Sequence, residues 1–247
     1  MINVSPASTA GATLSPTIDG LLEQTRLSYV TLVISKSAQK SRNNRNELLS
    51  ESVTSGSGFL IDSVGHVLTA GHVAVKPGWV VEAKGPDGRN YIGRVVAVKK
   101  DSDAALIKLR GVENGQPVRP VAQPCLRRGE PVFSLGKPRQ AGDVARLGEV
   151  AAMSFGRPVT YKGFGYSDAM VLKLETRKGE SGGPVFNSNG HLAGMVVSTL
   201  SDGTGRHLNL AHAITAPKLA EFVCANTQCG ASWRAIRKIN TSACPAA

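Results

Sequence analysis

The chain has 247 residues, a formal net charge of +11, 27 glycines and only 5% aromatics. That is long enough to bury a core without cross-links, and no run of about 18 apolar residues exists, so no transmembrane helix is expected. The Lys and Arg residues are scattered, with no nucleic-acid-binding motif among them. No nucleic-acid partner is therefore expected.

Residues 1–16, rich in Ser, Thr, Ala and Pro, are predicted to be a disordered N-terminal segment. The opening MINVSPASTAGATLSPT lacks a basic n-region and an apolar h-region and does not read as a signal peptide. TIDGLLEQTRLS predicts a short helix capped by Asp19, and YVTLVIS (29–35) a strand. Residues 36–52 are polar and basic and read as a long mobile loop. Strand signals then recur at VTSGSGFLI, HVLTA, WVVEAK, YIGRVVAV and DAALIKL, with turns such as Pro86-Asp87-Gly88 between them. A proline-bearing stretch, GVENGQPVRPVAQPCLRRGE (111–130), separates this half from a second strand series. That series runs PVFSLG, VARLGEVAAM, AMVLKLE, PVFNSNGHLAGMVVST and HLNLAHAI. Apolar spacing in APKLAEFVCA predicts a helix over 216–225, and WRAIRK lies in a final segment without acidic residues.

This divides the chain into 1–16, an N-terminal helix and first β-half (17–118), a connection (119–130), a second β-half with the C-terminal helix (131–229), and a basic tail (230–247). Two such halves are compatible with two packed six-stranded barrels, although strand spacing alone does not separate barrels from a sandwich. Cys125, Cys224, Cys229 and Cys244 contain no C-x-x-C pair, so no zinc site is expected. Disulfides and reduced, partly buried thiols both remain open for them.

Three motifs carry chemistry. In Gly179-Glu180-Ser181-Gly182-Gly183 a serine sits in a glycine turn, and the backbone N–H groups of Gly179 and Ser181 are candidates for holding an oxyanion. In Thr69-Ala70-Gly71-His72 a histidine, suited to general-base work at neutral pH, follows a strand. In Asp101-Ser102-Asp103-Ala104-Ala105-Leu106 an aspartate opens an apolar strand, where a carboxylate is costly unless paired. Asp103 adjoins the apolar run and is the better candidate for pairing with His72; Asp101 is left to cap the turn.

The order His, Asp, Ser matches the chymotrypsin arrangement. The sequence resembles the trypsin-like serine proteases, and within them the bacterial HtrA/DegP-type protease domain. LLEQTRLSYVTLVIS, SGSGFLIDSVGHVLTAGHVA, DSDAALIKL, GESGGPVFNSNGHLAGMVV and NLAHAITAPKLAEFV carry the resemblance. It implies an all-β fold of two six-stranded antiparallel barrels, with the site in the cleft between them and a C-terminal helix. It also implies His72 as base, Asp103 as its orienter, Ser181 as nucleophile, and Gly179 and Ser181 as the oxyanion hole. A protein or peptide substrate, no cofactor and no metal are implied as well. A periplasmic or secreted location is favoured by resemblance, and the oligomeric state is left open. No PDZ-like module follows Val223 in this sequence.

For the substrate pocket the resemblance points to Leu174–Lys178, Val196–Leu200 and Ala211–Ala213, and so to Glu175, Ser198 and His212. Glu175 reads either as an acid selecting Lys or Arg before the cut or as a solvated loop residue. His212 reads as a pocket or a barrel histidine. Two other functions are weighed: a weakly active or inactive binding or chaperone-like protein on the same fold, and a membrane- or polyanion-binding role for 230–247.

Limited digestion should cut first within 36–52, where Lys36, Lys40, Arg42 and Arg45 lie among polar residues. Mass spectrometry of the earliest fragments checks this, with Ser181→Ala as the non-autolytic control. First cuts inside 53–109 would contradict it.

Overall fold

The computed structural model describes residues 18–36, 53–120, 126–138 and 142–237. The segment 1–16, all but the first residue of the 36–52 loop, Cys125, Cys244 and residues 238–247 lie outside the described residues.

The first barrel comprises β1 (Tyr29–Ser35), β2 (Thr54–Leu60), β3 (His66–Ala70), β4 (Val80–Lys84), β5 (Asn90–Lys99) and β6 (Ala104–Leu109). They close in the order β1-β2-β3-β6-β5-β4. Alternation in YVTLVIS sends Val30, Leu32 and Ile34 inward and leaves Val33 exposed. β2 breaks that alternation, being buried through most of its length. Its glycines make this possible: a Cβ at Gly56 would strike Val73 and the Ser181 carbonyl, and one at Gly58 would strike Val67.

The second barrel comprises β7 (Pro131–Gly136), β8 (Val144–Ala152), β11 (Met170–Lys173), β12 (Pro184–Asn187), β13 (Leu192–Ser201) and β14 (His207–Thr215). They close in the order β11-β14-β13-β12-β7-β8. The run PVFNSNGHLAGMVVST is thus two strands, turned at Asn187–Gly190, where Asn187 accepts the N–H groups of Asn189 and His191. A hairpin absent from the strand signals, β9 (Val159–Tyr161) with β10 (Phe164–Tyr166), lies between β8 and β11. Its strands are too short for periodicity to register.

Val150, Met170, Leu172 and Val185 fill the second barrel. The first barrel's core does not end at its own strands. It continues through Phe133, Phe186, Leu192 and Ile214 of the second barrel, so the two halves share one apolar interface.

Short helix α1 (Ile18–Arg26) precedes β1, with Asp19 in its first turn. A one-turn helix, α2 (Gly71–Ala74), follows β3. Helix α3 (Ala216–Asn226) follows β14, and α4 (Ala231–Arg237) opens the segment expected to be a tail. That expectation is corrected for 231–237: Trp233 and Ile236 are buried, and the Trp233 indole N–H donates to the Ile61 carbonyl at 3.3 Å. Two apolar side chains three residues apart give a seven-residue helix a packing face, but too little periodicity to detect. A disulfide joins Cys224 to Cys229 across the α3–α4 connection. No helix among the described residues is long and apolar enough to cross a membrane.

Trp233→Ala should lower folding stability by about 3–5 kcal/mol through the cavity it leaves. Arg237→Ala on the exposed face of the same helix should stay within about 0.5 kcal/mol. Urea midpoints of the two variants check the contrast.

Candidate active site

Strand register brings the first two candidates together. β3 and β6 pair antiparallel with Thr69 opposite Ala105 and Ala70 opposite Ala104. The residues just beyond that end, Gly71-His72 and Asp103, are therefore neighbours although 31 positions separate His72 from Asp103. The Gly71 N–H donates to the Asp103 carbonyl at 2.9 Å. Asp103 then turns at φ +44°, a conformation that Asp tolerates better than most residues, and its carboxylate faces the helical turn.

One carboxylate oxygen of Asp103 accepts the His72 backbone N–H at 2.8 Å; the other contacts His72 Nδ1 at 2.8 Å. Asp103 is 4% exposed, so these two bonds are what make a buried carboxylate tolerable. With Nδ1 occupied, His72 has Nε2 left for another group. The Tyr161 ring of the β9–β10 hairpin stands edge-on to the imidazole, centroids 5.8 Å apart. Asp101, by contrast, is exposed and lies 3.8 Å from Lys99.

Ser181 comes from the other barrel, in the turn that leads into β12. The Gly182 N–H donates to the Val196 carbonyl, and the Gly183 N–H to Glu180. Gly182 sits at φ +85°, and a Cβ there would collide with the Ser57 carbonyl and Thr69 hydroxyl. The N–H groups of Gly179 and Ser181 have no protein acceptor among the described residues, so two donors beside the serine are uncommitted.

Three residues overlooked in the sequence support this turn and the cleft. Ser57 of β2, fully buried, donates its hydroxyl to the Gly179 carbonyl at 2.9 Å and its backbone N–H to the Ser181 carbonyl at 2.9 Å. Its glycine-flanked place in a strand was the available signal. Arg146 of β8 donates through two nitrogens, at 2.8 and 3.1 Å, to one oxygen of Glu180. The other Glu180 oxygen accepts the Arg177 N–H at 3.2 Å. Glu180 is 2% exposed, so a buried ion pair anchors the residue preceding the serine. Tyr166 of β10 is the third: its hydroxyl lies 2.8 Å from both Ser198 Oγ and His212 Nδ1. No short-range pattern marks Arg146 or Tyr166, because their partners are set by barrel closure.

His72, Gly179 and Ser181 line one cleft of about 820 Å³, which Ser198 and His212 also line. His212 is 3% exposed, and burial, reinforced by the Arg157 charge, pushes its pKa below the ordinary histidine value. Burial pushes the Tyr166 phenol up to about 12. Glu175 does not line the cleft; it is exposed and pairs with Arg177 at 2.7 Å. That pair and solvent hold its carboxylate on the surface, away from Ser198 and His212. No cluster of three His, Cys, Asp or Glu among the described residues could hold a metal ion.

The family model described as "Trypsin-like peptidase domain" matches residues 56–195. The chain is 32% identical over 153 residues to the periplasmic serine endoprotease DegP of Salmonella typhimurium, covering 61% of this chain and 31% of that protein. It is 30% identical over 155 residues to the putative serine protease HhoA of Synechocystis, covering 61% and 38%. It is 29% identical over 161 residues to the chloroplastic Protease Do-like 5 of Arabidopsis thaliana, covering 59% and 48%. The chain thus spans less than half the length of each of these relatives.

Arg146→Ala leaves Glu180 buried and unpaired, and should cost about 3–5 kcal/mol in stability. It should also slow reaction of Ser181 with a fluorophosphonate, because the turn carrying Ser181 loses its anchor. Arg146→Lys should recover part of both. Urea denaturation and labelling rates measured side by side check this; normal labelling in a destabilised Arg146→Ala would restrict the pair to a folding role.

Proposed function

Because the chain belongs to the trypsin-like peptidase domain family, we propose that it is a serine endopeptidase that cleaves peptide bonds through an acyl-enzyme on Ser181. The observation that carries this reading is the paired His72–Asp103 unit of the first barrel in the same cleft as Ser181 of the second.

The Ser181 hydroxyl attacks the scissile carbonyl carbon, and His72 Nε2 takes its proton. Asp103, bonded to Nδ1 and to the His72 backbone, fixes the tautomer and balances the positive charge that arises on the ring. The negative charge on the carbonyl oxygen is received by the N–H groups of Gly179 and Ser181, which no protein acceptor among the described residues occupies. Protonated His72 then gives its proton to the leaving amine, and the C–N bond breaks. A water repeats the sequence: His72 takes its proton as the water oxygen attacks the acyl carbon, the bond from that carbon to Ser181 Oγ breaks, and the proton passes from His72 to Ser181 as the carboxylic acid product leaves. The His72–Asp103 pair and the backbone of the Ser181 turn are fixed by their own hydrogen bonds, which supports this reading because such sites derive much of their rate from groups positioned in advance.

A fluorophosphonate should label the parent and not Ser181→Ala. Hydrolysis of an unfolded protein substrate should fall by several orders of magnitude in Ser181→Ala or His72→Ala with the fold retained. Asp103→Asn should cost about 10⁴-fold by analogy with the same constellation elsewhere, and exposed Asp101→Asn little. Equal cleavage by parent and Ser181→Ala would overturn the assignment.

A further inference from the structure

The cleft is charged in one sense. Arg157, Lys162, Arg177 and Lys178 line it together with His72, His207 and His212, and no Asp or Glu does. Arg177 is already neutralised by Glu175. Arg157 and Lys162 instead lie over aromatic rings, Arg157 at 4.8 Å from the Phe155 centroid and Lys162 at 5.3 Å from that of Tyr161. These contacts hold a cation without cancelling its charge. Neither they nor Lys178 has a carboxylate within ion-pair distance among the described residues. Asp168, close enough to act on His212, has one oxygen committed to the backbone N–H groups of Phe155, Gly156 and Ala169.

One wall of the same cleft is polar. Ser198 of β13 pairs with His212 of β14, and Tyr166 closes the group from the hairpin. The Phe155 ring packs on His212 at 4.3 Å between centroids, and Arg157 stacks on the far partner of that contact. His212 Nε2 is buried and has no hydrogen-bond partner. A buried imidazole nitrogen left unpaired is costly, and an incoming group that bonds it recovers that cost.

We propose that this cleft selects peptides with an acidic residue, Glu or Asp, immediately before the scissile bond, its carboxylate being received by the Ser198–Tyr166–His212 group beneath Arg157. The inference rests on the endopeptidase reading above and adds the substrate class to it. A Lys or Arg side chain would bring another cation among uncompensated ones. An aliphatic side chain would leave His212 Nε2 unpaired in a drier site. A Gln would satisfy hydrogen bonds but gain nothing from the positive field. The net charge of +11 acts in the same direction at longer range, drawing acidic segments toward the cleft.

The test uses the full 247-residue chain and matched peptides that differ only before the cut, carrying Glu, Gln, Lys or Val. Glu should exceed Gln in kcat/KM by on the order of ten-fold or more, and Lys should be poorest. Raising ionic strength should shrink the Glu-to-Gln ratio. Arg157→Gln should shrink it too, with the fold retained because Arg157 is exposed. His212→Gln and Ser198→Ala should lower it further. Val or Lys preferred over Glu, or a Glu-to-Gln ratio untouched by salt and by Arg157→Gln, would overturn the proposal. Fluorophosphonate labelling separates the two levels. Labelled enzyme without acidic preference refutes the specificity alone, and absence of Ser181 labelling refutes the endopeptidase reading and this inference with it.

Discussion

Ser57 ties the two barrels together at the point where their contributions meet. Its N–H holds the Ser181 carbonyl, its hydroxyl holds the Gly179 carbonyl, and its own carbonyl accepts the Thr69 hydroxyl. Tyr29 of β1 and the Lys137 N–H, just beyond β7, also reach its hydroxyl, each at 3.2 Å. The Ser181 turn belongs to the second barrel by sequence but is hydrogen-bonded to a strand of the first. His72 and Asp103 are fixed within that first barrel by the β3–β6 register. The placement of His72 relative to Ser181 therefore depends on this buried node and on the shared apolar interface around it. Gly56, beside Ser57, follows from the same constraint, since a Cβ there would push against the Ser181 backbone.

Buried charge is handled in two ways around the serine. Asp103 is balanced by bonds from a single residue, His72, through ring and backbone together. Glu180 is balanced by Arg146 from across the second barrel and by a backbone N–H from its own turn. Both carboxylates are consumed in positioning, and neither adds negative charge to the cleft lining. What remains in the cleft is cationic and hydroxyl-bearing. The site's scaffolding and the proposed acidic preference thus share one division: acids turned inward to hold the turn and the histidine, bases left at the cleft.

The additions to the two barrels serve that division. The β9–β10 hairpin places Tyr161 against His72 and sends the Tyr166 hydroxyl to Ser198 and His212. Helices α3 and α4, joined by the Cys224–Cys229 disulfide, pack against strands of both barrels, with the Trp233 indole bonded to the Ile61 carbonyl of the first. A deletion of 230–247 would uncover that surface, so it would not isolate a role for the basic residues in the segment.

His72, Asp103 and Ser181 could be singled out as candidates because each lies in a short motif whose chemistry is local: glycines around a serine, a histidine closing a strand, an aspartate opening one. The barrel strands were legible from alternation and turn residues, as in YVTLVIS and Pro86-Asp87-Gly88. Helix α4, the β9–β10 hairpin and the split of 184–201 into two strands were not, because each is too short, or its turn too compact, for periodicity to register. The Arg146 partner of Glu180 and the Tyr166 partner of His212 were decided only by tertiary structure, whereas Glu175 pairs with Arg177 two residues away. A carboxylate's neighbours in a closed barrel are set by the register of strands distant in sequence. The same residue type therefore becomes a buried anchor at Glu180 and a solvated surface pair at Glu175, only five positions apart.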